Sequence, residues 1–289
     1  VLGLDPDPMA LWPGARAPAA GSPGQRAAAA VAAHCRALID AAGPACVAVK
    51  PQLARFEALG APGWEALRAV AEHARDAGLL VIADGKRGDI DVTAGAYATA
   101  LMGTLPTPFG GVEGLGVDMA TVNPLMGSDA IVPFVQVARA ANAAVLLLVR
   151  TSNPGAADVQ DAELAAGGPL WERLARLVDS LGAGGAAEGA VQAGLADVGA
   201  VMGATQPEHL ARARTLMPRA VFLLPGVGAQ GGRVDRLAPA FAPGRAGALI
   251  AASRSIASAH RASGGDPAAA ARSEAERLRE LAWQVSGQR

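Results

Sequence analysis

Only two of the chain's 25 basic residues are lysines, Lys50 and Lys86; the other 23 are arginines. Where cations are otherwise supplied as arginine, a retained lysine marks a task that arginine does not perform. A guanidinium keeps its proton, whereas an ammonium can give one up. Lys86 lies within Asp84-Gly85-Lys86-Arg87-Gly88-Asp89-Ile90-Asp91-Val92-Thr93, the segment with the sharpest chemical signal. On an extended strand end, Asp84 and Lys86 project to the same side. Lys50, on a neighbouring strand, adds a second cation beside Asp84. Opposite charges favour one another's ionised forms. A fixed array of this kind suits a reaction in which charge develops on carbon; a structural salt bridge is the plainer alternative. Asp84, Asp89 and Asp91 could also hold Mg²⁺, but the interposed Lys86 argues against a metal.

A second set of residues suits an anion. Pro225-Gly226-Val227-Gly228-Ala229-Gln230-Gly231-Gly232 is rich in glycine, which lets backbone N–H groups approach an anion closely. Ser253-Arg254-Ser255 adds a guanidinium able to bind phosphate through two hydrogen bonds. His34, His73, His209 and His260 lack metal-ligand spacing and read as structural or surface residues. Cys35 and Cys46 lie in alanine-rich surroundings and read as buried thiols.

The elements that must position these residues are legible as alternating patterns. Eight short apolar runs, Val1–Leu4, Ala45–Val49, Leu79–Ala83, Met119–Val122, Ala144–Val149, Val198–Met202, Ala220–Leu224 and Ala246–Ala251, have the uninterrupted character of parallel strands buried on both faces. Helical patterns lie between them. Trp64, Leu67, Ala71 and Ala74 share one face before a stop at Gly78, and Trp171, Leu174 and Val178 share another. Thr205-Gln206-Pro207-Glu208 reads as a capping box, and Asp266-Pro267 opens a last helix presenting Leu278, Leu281 and Val285. Strict alternation predicts a single-domain (β/α)₈ TIM barrel over 1–289, with a doubly wound open sheet as the rival. The glycine-rich stretches 103–116 and 182–194 read as surface insertions. Because the first strand begins at residue 1, a native segment is expected upstream of it.

In this fold the site gathers at the carboxyl ends of the strands, and the loops after strands 7 and 8 commonly cradle phosphate. The polar residues just past the runs are, in chain order, Asp5, Lys50, Asp84 with Lys86 and Asp89, Asn123, Ser152 with Asn153, the Gly226–Gly232 loop with Gln230, and finally Ser253 with Arg254. Composition is consistent with a large core: 51% of the 289 residues are hydrophobic and 18% charged, which excludes a disordered chain. A net charge of −1 offers no general attraction to nucleic acid or an anionic membrane. No apolar run reaches the length of a membrane span, and a cytoplasmic protein is expected.

Taken together, these blocks resemble the orotidine 5'-phosphate decarboxylase family. Its DxKxxD-I-x-x-T signature is matched by Asp84, Lys86, Asp89, Ile90 and Thr93, and Lys50-Pro51-Gln52 is similar to the lysine strand of a bacterial subgroup that includes the mycobacterial enzymes. Gly3-Leu4-Asp5-Pro6, Thr121-Val122-Asn123-Pro124, Thr151-Ser152-Asn153-Pro154-Gly155, Pro225–Gly232 and Arg254-Ser255-Ile256 come in family order; Ala257-Ser258 departs where many relatives carry an aromatic. The resemblance implies decarboxylation of orotidine 5'-phosphate to UMP without cofactor or metal. It implies Lys86 as the proton donor to C6, Asp84 beside the substrate carboxylate, and Lys50 and Asp89 completing the array. Asp5 and Lys50 would contact ribose. Ser152 and Gln230 would hold the pyrimidine, and Gln230, Arg254 and nearby backbone N–H groups the phosphate, with Asn123, Gly228 and Ser253 in the same substrate-binding set. Asp89 and Thr93 would reach the ribose of the partner's site, so a homodimer is implied. A Mg²⁺-dependent enzyme acting on a sugar phosphate and a non-catalytic nucleotide sensor are the competing readings.

Overall fold

The computed structural model describes residues 1–16, 20–183 and 194–287. Every predicted apolar run contributes a strand: β1 Leu2–Leu4, β2 Ala48–Pro51, β3 Leu80–Arg87, then, after a hairpin of β4 Thr104–Thr107 and β5 Gly110–Glu113, β6 Met119–Val122, β7 Ala144–Arg150, β8 Val198–Met202, β9 Phe222–Pro225 and β10 Ala248–Ala251. The eight strands other than the hairpin are hydrogen-bonded in the order β1-β2-β3-β6-β7-β8-β9-β10. Ala252, the residue after β10, bridges in parallel to Leu2 of β1. This is the strand order of a (β/α)₈ barrel, the fold class expected. β2 and β8 are buried at every position, which is why their sequences run apolar without alternation.

By contact density the chain forms two compact units, Val1–Gly85 with Ala252–Glu280 and Lys86–Ala251 with Leu281–Arg289. In the first, helix Pro23–Ala42 packs on helix Ala61–Asp76. The former starts with a reciprocal capping box that pattern reading missed: Ser22 Oγ accepts from Gln25 N, and Gln25 Oε1 accepts from Ser22 N. In the latter, Ala66, Leu67, Val70, Ala71 and Ala74 are buried, but Trp64, predicted to share their face, is exposed. Cys35 is buried and Cys46 half-buried, both free, and burial raises the pKa of both thiols.

In the second unit, Trp171, Leu174 and Val178 face inward from helix Leu170–Ala183 as predicted. The capping box expected at Thr205 does not form. The helix begins at Glu208 with no side-chain cap, and Thr205 Oγ1 donates instead to the carbonyl of Ser152 at 3.1 Å. Segment 103–116 is an antiparallel hairpin carrying exposed Leu105, Phe109 and Val112. Of the other predicted insertion, residues 184–193 lie outside the described residues. Arg214 is buried, and among the described residues no carboxylate pairs with it. It donates to the carbonyls of Met217, Ala220, Ala240 and Gly247 at 2.6–3.1 Å and stacks on Phe222 of β9. Desolvation lowers its pKa to about 10. The carbonyls take the place of a counter-ion and tie the chain entering β10 to the helix Glu208–Leu216.

The histidines carry structural roles. His73 pairs with Asp40 at 2.6 Å and His209 packs on Trp171. His34 is buried, and its Nδ1 accepts the amide of Trp12 at 3.2 Å. The Trp12 indole N–H donates to Ala257 O at 2.9 Å, so this corner ties the chain after β1 to the chain after β10. Burial, reinforced by nearby His260, pushes the His34 pKa down to about 4. Between the ordinary value near 6.5 and about 4, the unfolded chain binds a proton that the folded chain refuses, so stability falls as pH falls through that window. The melting temperature is therefore expected to drop between about pH 7 and about pH 4.5. His34→Gln, which keeps an acceptor but does not titrate, should drop less; identical slopes would remove His34 from the acid response.

Candidate active site

β1, β2 and β3 are in parallel register, with Gly3 opposite Lys50 and Val49 opposite Val81. This register brings two charged side chains of neighbouring strand ends together. Lys50 Nζ lies 2.6 Å from Asp84 Oδ2, and both residues are only 6% exposed. Gln52 Nε2 donates to the same oxygen at 3.4 Å. Desolvation of such a pair costs several kcal/mol per ion, and only good geometry and further hydrogen bonds offset it. Asp5 follows β1, and its Oδ1 is buried with no hydrogen-bond partner, an acceptor ready for a hydroxyl. A Cβ on Gly3 would stand 2.6 Å from Ser253 Cβ. Glycine is thus required for β1 to pass Ser253, which precedes the exposed Arg254 at the start of helix Arg254–Ala257.

In the second unit, Lys86 is exposed and takes φ 47°. Thr121 of β6, almost fully buried, accepts the Lys86 amide on Oγ1 at 2.9 Å and so supports the left-handed turn. Asp91 has φ 49°. Left-handed backbone at a non-glycine residue costs of order 1–3 kcal/mol and gathers at functional sites; here two instances fall within one eight-residue segment. Asn123 folds the exit of β6 back on this segment: its amide donates to Arg87 O at 2.6 Å and its Oδ1 accepts from Leu125 N. Asp89 Oδ1 accepts from Ile90 N, and Thr93 is exposed on the first turn of helix Asp91–Met102.

After β7 and β9, Ser152 Oγ donates to Gln230 Oε1 at 2.9 Å. Gly226, at φ 101°, makes room: a Cβ there would meet Gln230 Oε1 at 3.0 Å and Ser152 Cβ at 3.1 Å. The glycine loop differs from the anion cradle read in the sequence. The amides of Gly228, Gly231 and Gly232 donate to Gly232 O, Gly228 O and Gly226 O, closing the loop on itself.

The structure thus joins Lys50 with Asp84, and Ser152 with Gln230, and sets Asp5, Asn123, Ser253 and Arg254 just past the ends of their strands. Sequence reasoning gave no role of their own to Gln52, which donates to Asp84, or to Thr121, which accepts the Lys86 amide. Thr121 had a signal, a hydroxyl within an otherwise apolar run. Among the described residues, no group of three or more histidine, cysteine or acidic side chains is placed to hold a metal ion, and no helix is long and apolar enough to cross a membrane.

The family model "Orotidine 5'-phosphate decarboxylase / HUMPS family" matches residues 1–273. The chain belongs to this family. It is 44% identical over 219 residues to the orotidine 5'-phosphate decarboxylase of Deinococcus radiodurans, covering 76% of this chain and 74% of that one. Among solved structures, Leishmania donovani OMP decarboxylase aligns over all of this chain and 93% of its own, with TM-score 0.73 and 31% identity. Leishmania donovani UMP synthase aligns with 99% of this chain at TM-score 0.71 and 33% identity; this chain spans 53% of that longer one. The matched span includes the ends of β2 and β3, where the buried ion pair sits.

Proposed function

We propose that this protein converts orotidine 5'-phosphate to UMP and CO₂ in pyrimidine biosynthesis. Membership of the decarboxylase family supports the reaction, and the buried Lys50–Asp84 pair is the observation that carries the site. A carboxylate held by one lysine, with a second lysine two residues on at a strained turn, is an array set before substrate arrives.

In this reading the bond from C6 to the substrate carboxylate breaks, CO₂ leaves, and the electron pair remains on C6. Lys86 supplies the proton that closes the new C6–H bond and is recharged from water. Asp84 lies beside the departing carboxylate, with Lys50 and Asp89 completing the array. Two like charges 4 Å apart at an effective dielectric near 20 repel by about 4 kcal/mol. Enzymes lower barriers by roughly 8–23 kcal/mol, so repulsion by Asp84 supplies a minor share. Stabilisation of the developing carbanion by the preplaced ammonium of Lys86 supplies more.

The unpartnered Asp5 Oδ1 accepts a ribose hydroxyl, and Lys50 donates to the ribose. Ser152 and Gln230 hold the pyrimidine. With three loop amides engaged within the glycine loop, Arg254 and Gln230 carry the phosphate, and Ser253 and Asn123 shape the strand ends around it. Asp89 and Thr93 reach the partner's ribose in a homodimer, in keeping with the exposure of Thr93. No cofactor or metal takes part, and the protein works in the cytoplasm.

Loss of orotidine 5'-phosphate absorbance is expected to be insensitive to EDTA and abolished by Lys86→Ala. Turnover that EDTA removes would favour the sugar-phosphate class of metal-dependent relative. The shared site has its own test. Mixing Lys86→Ala with Asp89→Ala chains leaves one intact site per heterodimer, so random exchange should restore about a quarter of wild-type activity. No recovery despite proven exchange would put Asp89 and Lys86 in the same site.

A further inference from the structure

β7 ends in Arg150, which is 3% exposed although nothing in the proposed chemistry uses it. The pairing of β7 with β8 shifts register between Leu148 and Arg150, an irregularity of the kind that re-aims a side chain. The guanidinium forks onto Asp161, Nε to Oδ1 at 2.8 Å and Nη2 to Oδ2 at 2.9 Å, and Nη1 donates to the carbonyl of Thr151 at 2.6 Å. Arg150 holds the Asp161 carboxyl below the usual carboxylate range. Gln160 Oε1 accepts the Thr151 amide at 2.8 Å, Gly203 N donates to Arg150 O at 2.7 Å, and Thr205 Oγ1 donates to Ser152 O. The peptide groups on both sides of Thr151, and the carbonyl of Ser152, are therefore all fixed by partners. One residue on, the Ser152 hydroxyl meets Gln230.

We propose that the Arg150–Asp161 fork, with Gln160, is the positioning device for Ser152. It closes the loop after β7 and sets the backbone from which the hydroxyl reaches Gln230 and the substrate's base. This rests on the reading of Ser152 as a pyrimidine contact. Arg150, Gln160 and Asp161 act through the backbone that carries Ser152.

The test is a double-mutant cycle of Asp161→Asn with Ser152→Ala, read as kcat/KM for orotidine 5'-phosphate and as equilibrium affinity for UMP. Small misplacement of a positioned group costs up to about 100-fold, so Asp161→Asn should lower kcat/KM roughly 10-fold or more when Ser152 is present. With Ser152→Ala the same change should cost less than about threefold, because the group being positioned is gone. Equal losses in both backgrounds, or no loss in either, would overturn the proposal. If Asp161→Asn does not fold, Gln160→Met removes the acceptor for Thr151 N and carries the same cycle. Wild-type protein that binds UMP with the expected coupling but does not decarboxylate would sink the functional reading and leave the positioning intact; wild type that does neither would overturn both.

Discussion

Two opposite charges lie 2.6 Å apart in surroundings that exclude water, at the ends of β2 and β3. The local structure is arranged around that pair. Water would solvate either ion better than the interior does, and a hydrophobic pair of similar size commonly folds as well or better. The register of three parallel strands, the apolar runs leading to Lys50 and Asp84, and the hydrogen bond from Gln52 hold the charges where solvent would otherwise separate them. An ion pair that adds little to stability is a resource for chemistry when a charged substrate is to be met by fixed charges.

The same economy of motion recurs in the second unit, by different means. Lys86 is set by a left-handed turn that Thr121 supports, and Ser152 by a fork and a glutamine that fix the backbone on both sides of Thr151. In each case the side chain to which the proposal gives a reactive or binding role is at a strand end, and hydrogen bonds from neighbouring groups hold its backbone. Preorganisation of this kind is what lets charge stabilisation act without rearrangement during the reaction.

The strands were readable because a parallel strand buried on both faces must be apolar throughout, and Lys50, Asp84, Ser152 and Arg254 stood out as polar residues where such runs end. Local rules failed where long-range bonds overruled them. Thr205 has the spacing of a helix cap, yet its hydroxyl serves Ser152, 53 residues away in the chain. Nothing in the sequence announces the positive φ at Lys86, a non-glycine residue in left-handed backbone. The glycines after β9 suggested amides facing an anion, whereas several of those amides close the loop. Asp161 lies in a loop without periodicity, so nothing in the sequence ties it to Arg150.

In the proposed mechanism the Lys50–Asp84 pair serves chemistry rather than folding, a distinction on which that mechanism turns. The most direct measurement is on Lys50→Met/Asp84→Leu, comparing unfolding free energy and decarboxylation with wild type. Stability should equal that of wild type or exceed it by up to about 4 kcal/mol, with turnover reduced by at least about 1000-fold. A variant that loses several kcal/mol while keeping most of its turnover would contradict this and make the pair a structural fastening.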